Sequence, residues 1–394
     1  MAAGTDLRLT CVIDSLVAGG AETSLNALAP HYIANGVDLQ IVYLKDQAGL
    51  QRELELSGAS LVCADGPGGR LGWVRRVTSI LRERKPDLVH TTLFEADVVG
   101  RSAARLVGIP AVSSLVNVQY GAEQFNDPRL KNWRLKGAQL TDRITARRAA
   151  GWHALTEHVA DVMSPRLRIP REAINVIPRG RDPVALGERT ARRREHVRAA
   201  LAIAPGEKLV LAAARQEYQK GLDVLLAAWP EVAESVPNAK LVVAGREGNE
   251  TPRLEAMTSA IDPSVRPIFL GKRNDVPDLL VAADAFVLPS RWEGLGSVLI
   301  EAMALEVPIV ASDLPPVLEV VDNGARLAKP DDPRSLARAL ESCLINEATS
   351  EQMTRSSLRR FHERFTIEVV TKQMLRFYEN ASASSTRTTA EPAV

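Results

Sequence analysis

Short β-branched and apolar runs alternate with longer stretches of helical period along nearly the whole chain, which is the pattern of parallel strands joined by crossover helices. In the first half LRLTCVI, DLQIVYL, SLVCA, DLVHTTL, AVSSLV, WHALT and INVIP read as strands, with helices predicted to begin near Ala21, Leu71, Glu95, Ala138 and Glu157. The second half restarts the alternation: LVLAAA, KLVVAG, PIFLG, AFVLPS and PIVAS read as strands, and helices are predicted near Leu222, Val276, Val298 and Pro333. Between the halves, PRGRDPVALGERTARRR has turn residues and charge without a strand period, so it is read as a linker. A last apolar-periodic stretch precedes ASASSTRTTAEPAV, whose small and polar residues supply no core and are expected to be disordered. The expected fold is therefore α/β, with doubly wound units over 1–182 and 183–350, a helical segment over 351–379 and a tail over 380–394. Such units bind ligands at the carboxyl ends of their strands, which places the expected site between them.

Composition narrows the class of function. The formal net charge of +1 excludes the strong basic excess of a general nucleic-acid binder. The charge is uneven, however: the first 186 residues carry 23 Lys and Arg against 19 Asp and Glu. Two segments concentrate it, 70–85 and 128–150, the latter with seven basic residues against the single acid Asp142. Such runs are usually solvated faces, but they also suit an anionic lipid surface. Three distant cysteines, Cys11, Cys63 and Cys343, form no disulfide framework and fit a reducing cytoplasm. No apolar leader opens the sequence and no run of 18 apolar residues occurs.

The stretch PSRWEGLGSVLIEAMALEVPIVAS carries the most chemistry. Glu293 and Glu301 bracket a glycine-containing loop and the start of a helix. Gly294 and Gly296 permit tight backbone geometry around Leu295, Ser297 is expected as the N-cap, and the free N–H groups of the next turn form an anion site for a diphosphate. Glu301 then lies early on the helix, within reach of the hydroxyls of a bound sugar or ribose.

This segment resembles the paired-glutamate motif of glycosyltransferase family 4, and other segments follow in that family's order. GGAE at 19–22 is similar to its first glycine loop, KPDLVH at 85–90 to its fourth strand, and INVIPRGRD at 174–182 to its crossing strand. ARQEYQKG at 214–221, LVVAGREG at 241–248 and FLGKRNDVPDLLVAAD at 269–284 continue the match. The resemblance implies the GT-B fold, two facing Rossmann-like domains with a central cleft, and a final helix crossing back to the first domain. It implies that Arg215 and Lys220 bind the donor diphosphate, that Glu301 holds the ribose, that Glu293 holds the transferred sugar, and that Gly19 and Gly20 let backbone approach the donor. It further implies retaining, metal-independent transfer of a hexose-type sugar from UDP, or next from GDP, to a glycan, lipid-linked or small-molecule acceptor. The chain departs from the pattern where many relatives place a His: Asn117 stands nearest. It departs again at Glu306, where Gly is usual and a Glu would strain a left-handed helix end.

His90, Glu95, Asn117 and His153 are the candidate acceptor contacts, although each also has a local reading: buried and hydrogen-bonded for the histidines, capping for Glu95 and its neighbour Asp97. No metal site is expected, since no DxD, HExxH or Cys/His cluster occurs, and no cofactor is expected. A nucleotide-sugar epimerase of the same double fold and a binding-only relative remain alternatives. The absence of GxGxxG after any strand disfavours a dinucleotide oxidoreductase.

Overall fold

A computed structural model of the chain describes residues 6–121, 125 and 131–388. The chain divides into two compact units, one of residues 1–180 together with 367–394, the other of residues 181–366.

The first unit is built on a seven-stranded, wholly parallel sheet. Its strands are β1 Leu7–Ile13, β2 Val37–Tyr43, β3 Ser60–Cys63, β4 Leu88–Thr92, β5 Ala111–Leu115, β6 Gly151–Ala154 and β7 Ile174–Val176, in the order β3-β2-β1-β4-β5-β6-β7. The central strands are almost entirely buried, as expected where helices cover both faces of a parallel sheet. All seven predicted strands are present. Against one part of this core packs the last helix, Ile367–Thr388, whose Val370, Met374, Phe377 and Tyr378 join Leu9, Leu39 and Ile41 in one apolar cluster. The helix therefore completes the first unit although it is separated from it in sequence by the second.

The second unit has a six-stranded parallel sheet: β8 Lys208–Ala213, β9 Ala239–Ala244, β10 Ile268–Phe269, β11 Ala285–Leu288, β12 Ile309–Ser312 and β13 Arg326–Ala328, in the order β10-β9-β8-β11-β12-β13. Trp229 is its largest buried side chain, closed into the core with its indole N–H donating to the Val265 carbonyl at 2.7 Å. Five of the six strands match the predicted runs. β13 was not predicted, since three residues beginning with Arg326 carry no strand period.

Other expectations are corrected. The supposed linker folds as two helices, Pro183–Leu186 and Ala191–Ala200. Its arginines face the second unit: Arg193 pairs with Asp278, and Arg194 and Arg198 pair with Asp284 while donating to the final carbonyls of the Val276–Ala282 helix. The segment 351–379 is two helices, Glu347–Arg364 in the second unit and Ile367–Thr388 in the first. The latter continues to residue 388, so residues 380–388 are helical rather than an irregular tail. Extending a helix already anchored by buried Tyr378 and Ala381 costs little compared with nucleating one. Residues 389–394 and Arg129 lie outside the described residues. As expected, Glu306 sits at the left-handed end of a helix, with φ of 54°.

Candidate active site

In the second unit two loops at the carboxyl ends of strands lie side by side. The loop after β8 turns through Tyr218–Lys220 into Gly221, whose φ of 61° suits glycine and whose missing side chain matters sterically: a Cβ there would meet the Pro289 carbonyl oxygen at 2.0 Å. This contact lets the loop approach residues 289–293, which follow β11. The Arg291 N–H donates to the Gln219 carbonyl at 2.8 Å, and the Gln219 amide donates to the Trp292 carbonyl at 2.9 Å. Arg291 stacks over the Tyr218 ring at 3.9 Å and forks onto both oxygens of Asp223, at 2.9 and 2.8 Å. Burial opposes ionisation of Asp223, yet the guanidinium holds its carboxyl below the usual range.

The zipped loops bring predicted residues together. Lys220 Nζ stands 2.5 Å from Glu293 Oε1, and the Ser290 hydroxyl donates to the same oxygen at 2.7 Å. Glu293 is buried. Gly294 and Leu295 are buried as well, and Gly296, at φ of 74°, caps the Ser297–Ala304 helix. Ser297 is thus the first helical residue and not the N-cap, because the turn from Leu295 into the helix requires the left-handed conformation that Gly296 adopts without strain. Glu301, one turn on, accepts from Arg181 Nε at 2.8 Å. Arg215 is exposed, and its guanidinium has no partner among the described residues. The second unit therefore holds a lysine paired with a carboxylate beside a glycine-capped helix start, a second carboxylate one turn into that helix, and an unpaired arginine in the loop after β8.

In the first unit the predicted residues behave differently. A Cβ at Gly19 would meet a Glu22 carboxylate oxygen at 2.6 Å, and one at Gly20 would meet Arg179 Nη1 at 2.5 Å, so this glycine pair admits two charged side chains of its own unit. Glu95 is engaged by Arg70, at 2.5 and 2.7 Å. Asn117 accepts from the N–H of Val118 at 2.9 Å. Asp97 is buried between Thr91 and Arg101, and burial pushes its carboxyl up to about 7 against the pull of Arg101.

His90 and His153 are both buried beside a cavity of about 60 Å³. They belong to one hydrogen-bonded chain whose direction is fixed at one end. His153 Nε2 lies 2.7 Å from the Ile177 carbonyl, which can only accept, so that nitrogen carries the hydrogen. Nδ1 of His153 must then accept from Ser114, Ser114 accepts from His90 Nε2, and His90 Nδ1 accepts from the Tyr378 hydroxyl, at 2.8, 2.7 and 2.8 Å. Burial pushes the two imidazoles down, His90 to about 3 and His153 to about 4, so both are neutral near pH 7. Every ring nitrogen is occupied within the unit. The local reading of these histidines describes what is seen.

Comparison with known proteins bears on the chemistry. Residues 18–184 match the family model described as Glycosyltransferase Family 4, and residues 193–360 match Glycosyl transferases group 1, so that the two together span most of the chain. The chain belongs to glycosyltransferase family 4. Among relatives of this glycosyltransferase, an alpha-D-kanosaminyltransferase of Streptomyces kanamyceticus is 26% identical over 73% of this chain and 76% of its own. A UDP-Gal:alpha-D-GlcNAc-diphosphoundecaprenol alpha-1,3-galactosyltransferase of Escherichia coli is 26% identical over 60% of each chain. The Anabaena HepE structure in complex with UDP-glucose superposes with a TM-score of 0.82 at 22% identity, over 95% of this chain and 100% of that one, and shares the GT-B fold.

Sequence reasoning missed four residues of the glycosyltransferase's second unit: Arg181, Asp223, Ser290 and Arg291. Arg181, Ser290 and Arg291 lie inside the segments quoted above, but residue type alone gave them no role there, and Arg181 and Arg291 meet partners far away in sequence: Arg181 and Glu301 are 120 residues apart, Arg291 and Asp223 are 68 apart. Among the described residues no group of three or more His, Cys, Asp or Glu could hold a metal ion.

Proposed function

We propose that this enzyme transfers a hexose-type sugar, with retention at the anomeric carbon, from a nucleotide diphosphate donor held by its second unit. The carrying observation is the contact of Lys220 with Glu293 beside the Gly296-capped helix. There a cation is already poised in a part-buried loop, and a diphosphate would exchange with Glu293 for its ammonium. Arg215, exposed at the same end of the sheet, and the N–H groups of the 294–297 turn supply further fixed positive charge as the diphosphate leaves. Glu293, released, accepts hydrogen bonds from the sugar, and Glu301 from the ribose. In front-face transfer the acceptor oxygen bonds to the anomeric carbon as the carbon–phosphate-oxygen bond breaks, and the acceptor's proton passes to the departing diphosphate. No protein nucleophile and no metal takes part.

UDP is the preferred nucleotide and GDP the second; the UDP-Gal named for the Escherichia coli relative and the UDP-glucose in the Anabaena structure favour the first. The acceptor is a hydroxyl of a glycan, lipid-linked or small molecule, as in polysaccharide biosynthesis, and the place of action is the cytoplasm, with peripheral contact at the inner face of the membrane. No helix among the described residues is long and apolar enough to cross a membrane. A thermal-shift series with UDP, GDP and ADP tests the donor reading: the correct nucleotide at ~100 times its dissociation constant stabilises by about 2.7 kcal/mol. Turnover should persist in EDTA. If no nucleoside diphosphate shifts the midpoint, or if EDTA abolishes turnover and Mg²⁺ restores it, the reading fails.

A further inference from the structure

The helix Asn132–Ala146 of the first unit is inside out. Its buried side carries Asp142, Thr145 and Ala146, with Asp142 accepting from buried Arg101 at 2.7 Å and from the Tyr120 hydroxyl at 3.0 Å. Its outward side carries Trp133, Leu140 and Ile144, 68%, 58% and 53% exposed. These three positions, with Gly137, fall on successive turns and form one stripe. Exposed Lys136 and Arg147 flank the stripe on one side and Arg134 and Arg148 on the other, while Lys131 stands at its start. The only acid of the segment is Asp142, which faces inward.

We infer that this helix is the enzyme's docking element for an anionic lipid bilayer, lying in the interface with Trp133, Leu140 and Ile144 among the acyl chains and the five cations at the headgroups. An aromatic ring and two aliphatic side chains within a basic rim match what an interfacial helix needs. The charge argues against the other occupants of an apolar face. A second copy would set five cations against five, and three apolar side chains offer far less than the roughly 800 Å² per partner of a stable protein interface. A polyanion would leave the apolar stripe unused. The inference gives a place to the peripheral membrane contact proposed above, yet its test does not depend on catalysis.

Sedimentation of the full chain with vesicles of phosphatidylcholine and phosphatidylglycerol in equal parts, against phosphatidylcholine alone, reads the binding directly. Each cation at an anionic surface contributes roughly fivefold in partition, so Lys136→Glu/Arg147→Glu/Arg148→Glu is expected to lose at least a hundredfold. Trp133→Ser/Leu140→Ser/Ile144→Ser is expected to lose tenfold or more and to remove the residual binding that the wild type keeps at ~1 M salt, where screening acts within about 3 Å. The thermal shift with nucleoside diphosphate should be the same in both variants as in the wild type, which shows that they fold; its absence from the wild type would sink the donor reading and leave this one standing. Indifference of the wild type to phosphatidylglycerol, binding unchanged in both variants, or dimerisation abolished by the serine variant without vesicle binding would each overturn the inference.

Discussion

The two units use buried polar groups in opposite ways. In the first, His90, Ser114, His153 and Tyr378 fill one another's hydrogen-bonding capacity and end on a carbonyl. In the second, Lys220 is tied to one oxygen of Glu293 and Arg181 to one oxygen of Glu301, and both carboxylates sit at the ends of a loop that opens onto a helix start. A network with every position taken is architecture, because breaking it leaves buried groups unsatisfied at a cost of about 1–3 kcal/mol each. An ion pair at a helix start can be traded for a ligand that offers the same charge. The contrast is one of engagement and not of residue type: an imidazole titrates near neutrality and is well suited to acid–base catalysis, yet both histidines here have every ring nitrogen hydrogen-bonded within the first unit.

Substitution should break the contrast most sharply. Lys220→Ala, Arg215→Ala and Glu301→Ala are each expected to lower turnover by a factor of about 10²–10³, the scale for one preorganised contact to developing charge, with little change in unfolding midpoint. His90→Gln should do the reverse, lowering the midpoint while leaving the turnover of the folded fraction within about threefold. Steady-state kinetics and calorimetry on the same preparations decide it; equal loss of turnover in all four would erase the distinction between the units.

Arg181→Leu should give a smaller, more selective effect. Freed from its partner, the Glu301 carboxylate loses its orientation, and the donor KM is expected to rise about tenfold, the value of one charge-assisted hydrogen bond, with kcat nearly unchanged. The preference for UDP over 3′-deoxy-UDP should narrow by a similar factor. Titration calorimetry with the two nucleotides would show an unchanged preference if Arg181 merely supports the fold.

Acidification probes the scaffold. Unfolded imidazoles protonate near 6.5, whereas the folded ones resist to about 3 and 4. The unfolded chain therefore binds more protons below about 6.5, and stability is lost as pH falls through that window. Asp97 acts in the opposite sense: folded it keeps its proton up to about 7, against 3.8 when unfolded, so its contribution grows on acidification and offsets part of the loss. The unfolding midpoint is expected to be lower at pH 5 than at pH 7, and His90→Gln/His153→Gln should flatten or invert that slope. A flat wild-type profile would mean that the histidines are hydrated in solution. The smallest effect is expected at Glu306, where Glu306→Gly should relieve left-handed strain and raise stability by about 1 kcal/mol, visible as a small rise in midpoint.

Much of this was legible from periodicity, because both sheets are built from short apolar runs that alternate with stretches of helical period. The glycine-bracketed glutamates were legible too, since a phosphate-type turn needs those residue types in that order. The helix Ala191–Ala200 defeated the pattern because its arginines point inward to Asp278 and Asp284, so it reads as solvated charge. The helix expected near Ala138 begins earlier, at Asn132, because its apolar side points outward and gives its first turn no core period. The ion pair of Arg181 with Glu301 was illegible because, although Glu301 stands in a recognisable motif, nothing local marks Arg181 as its partner and only the fold brings them together.

The return of the chain into the first unit also fixes an order of events. Tyr378, which donates to His90, and Phe377, which packs against His153 with ring centroids 6.3 Å apart, are among the last core residues to be made. At about 5–20 residues per second, roughly 190 residues of the second unit emerge between the first unit's seventh strand and its last helix, a delay of about 10–40 s. During that interval the His90–His153 chain lacks its hydroxyl donor and one apolar wall is uncovered, whereas the second unit, contiguous in sequence, has all its parts once residue 366 is made. The half of the enzyme that begins synthesis is the half that finishes folding last, and a ribosome that stalls before residue 367 leaves it open.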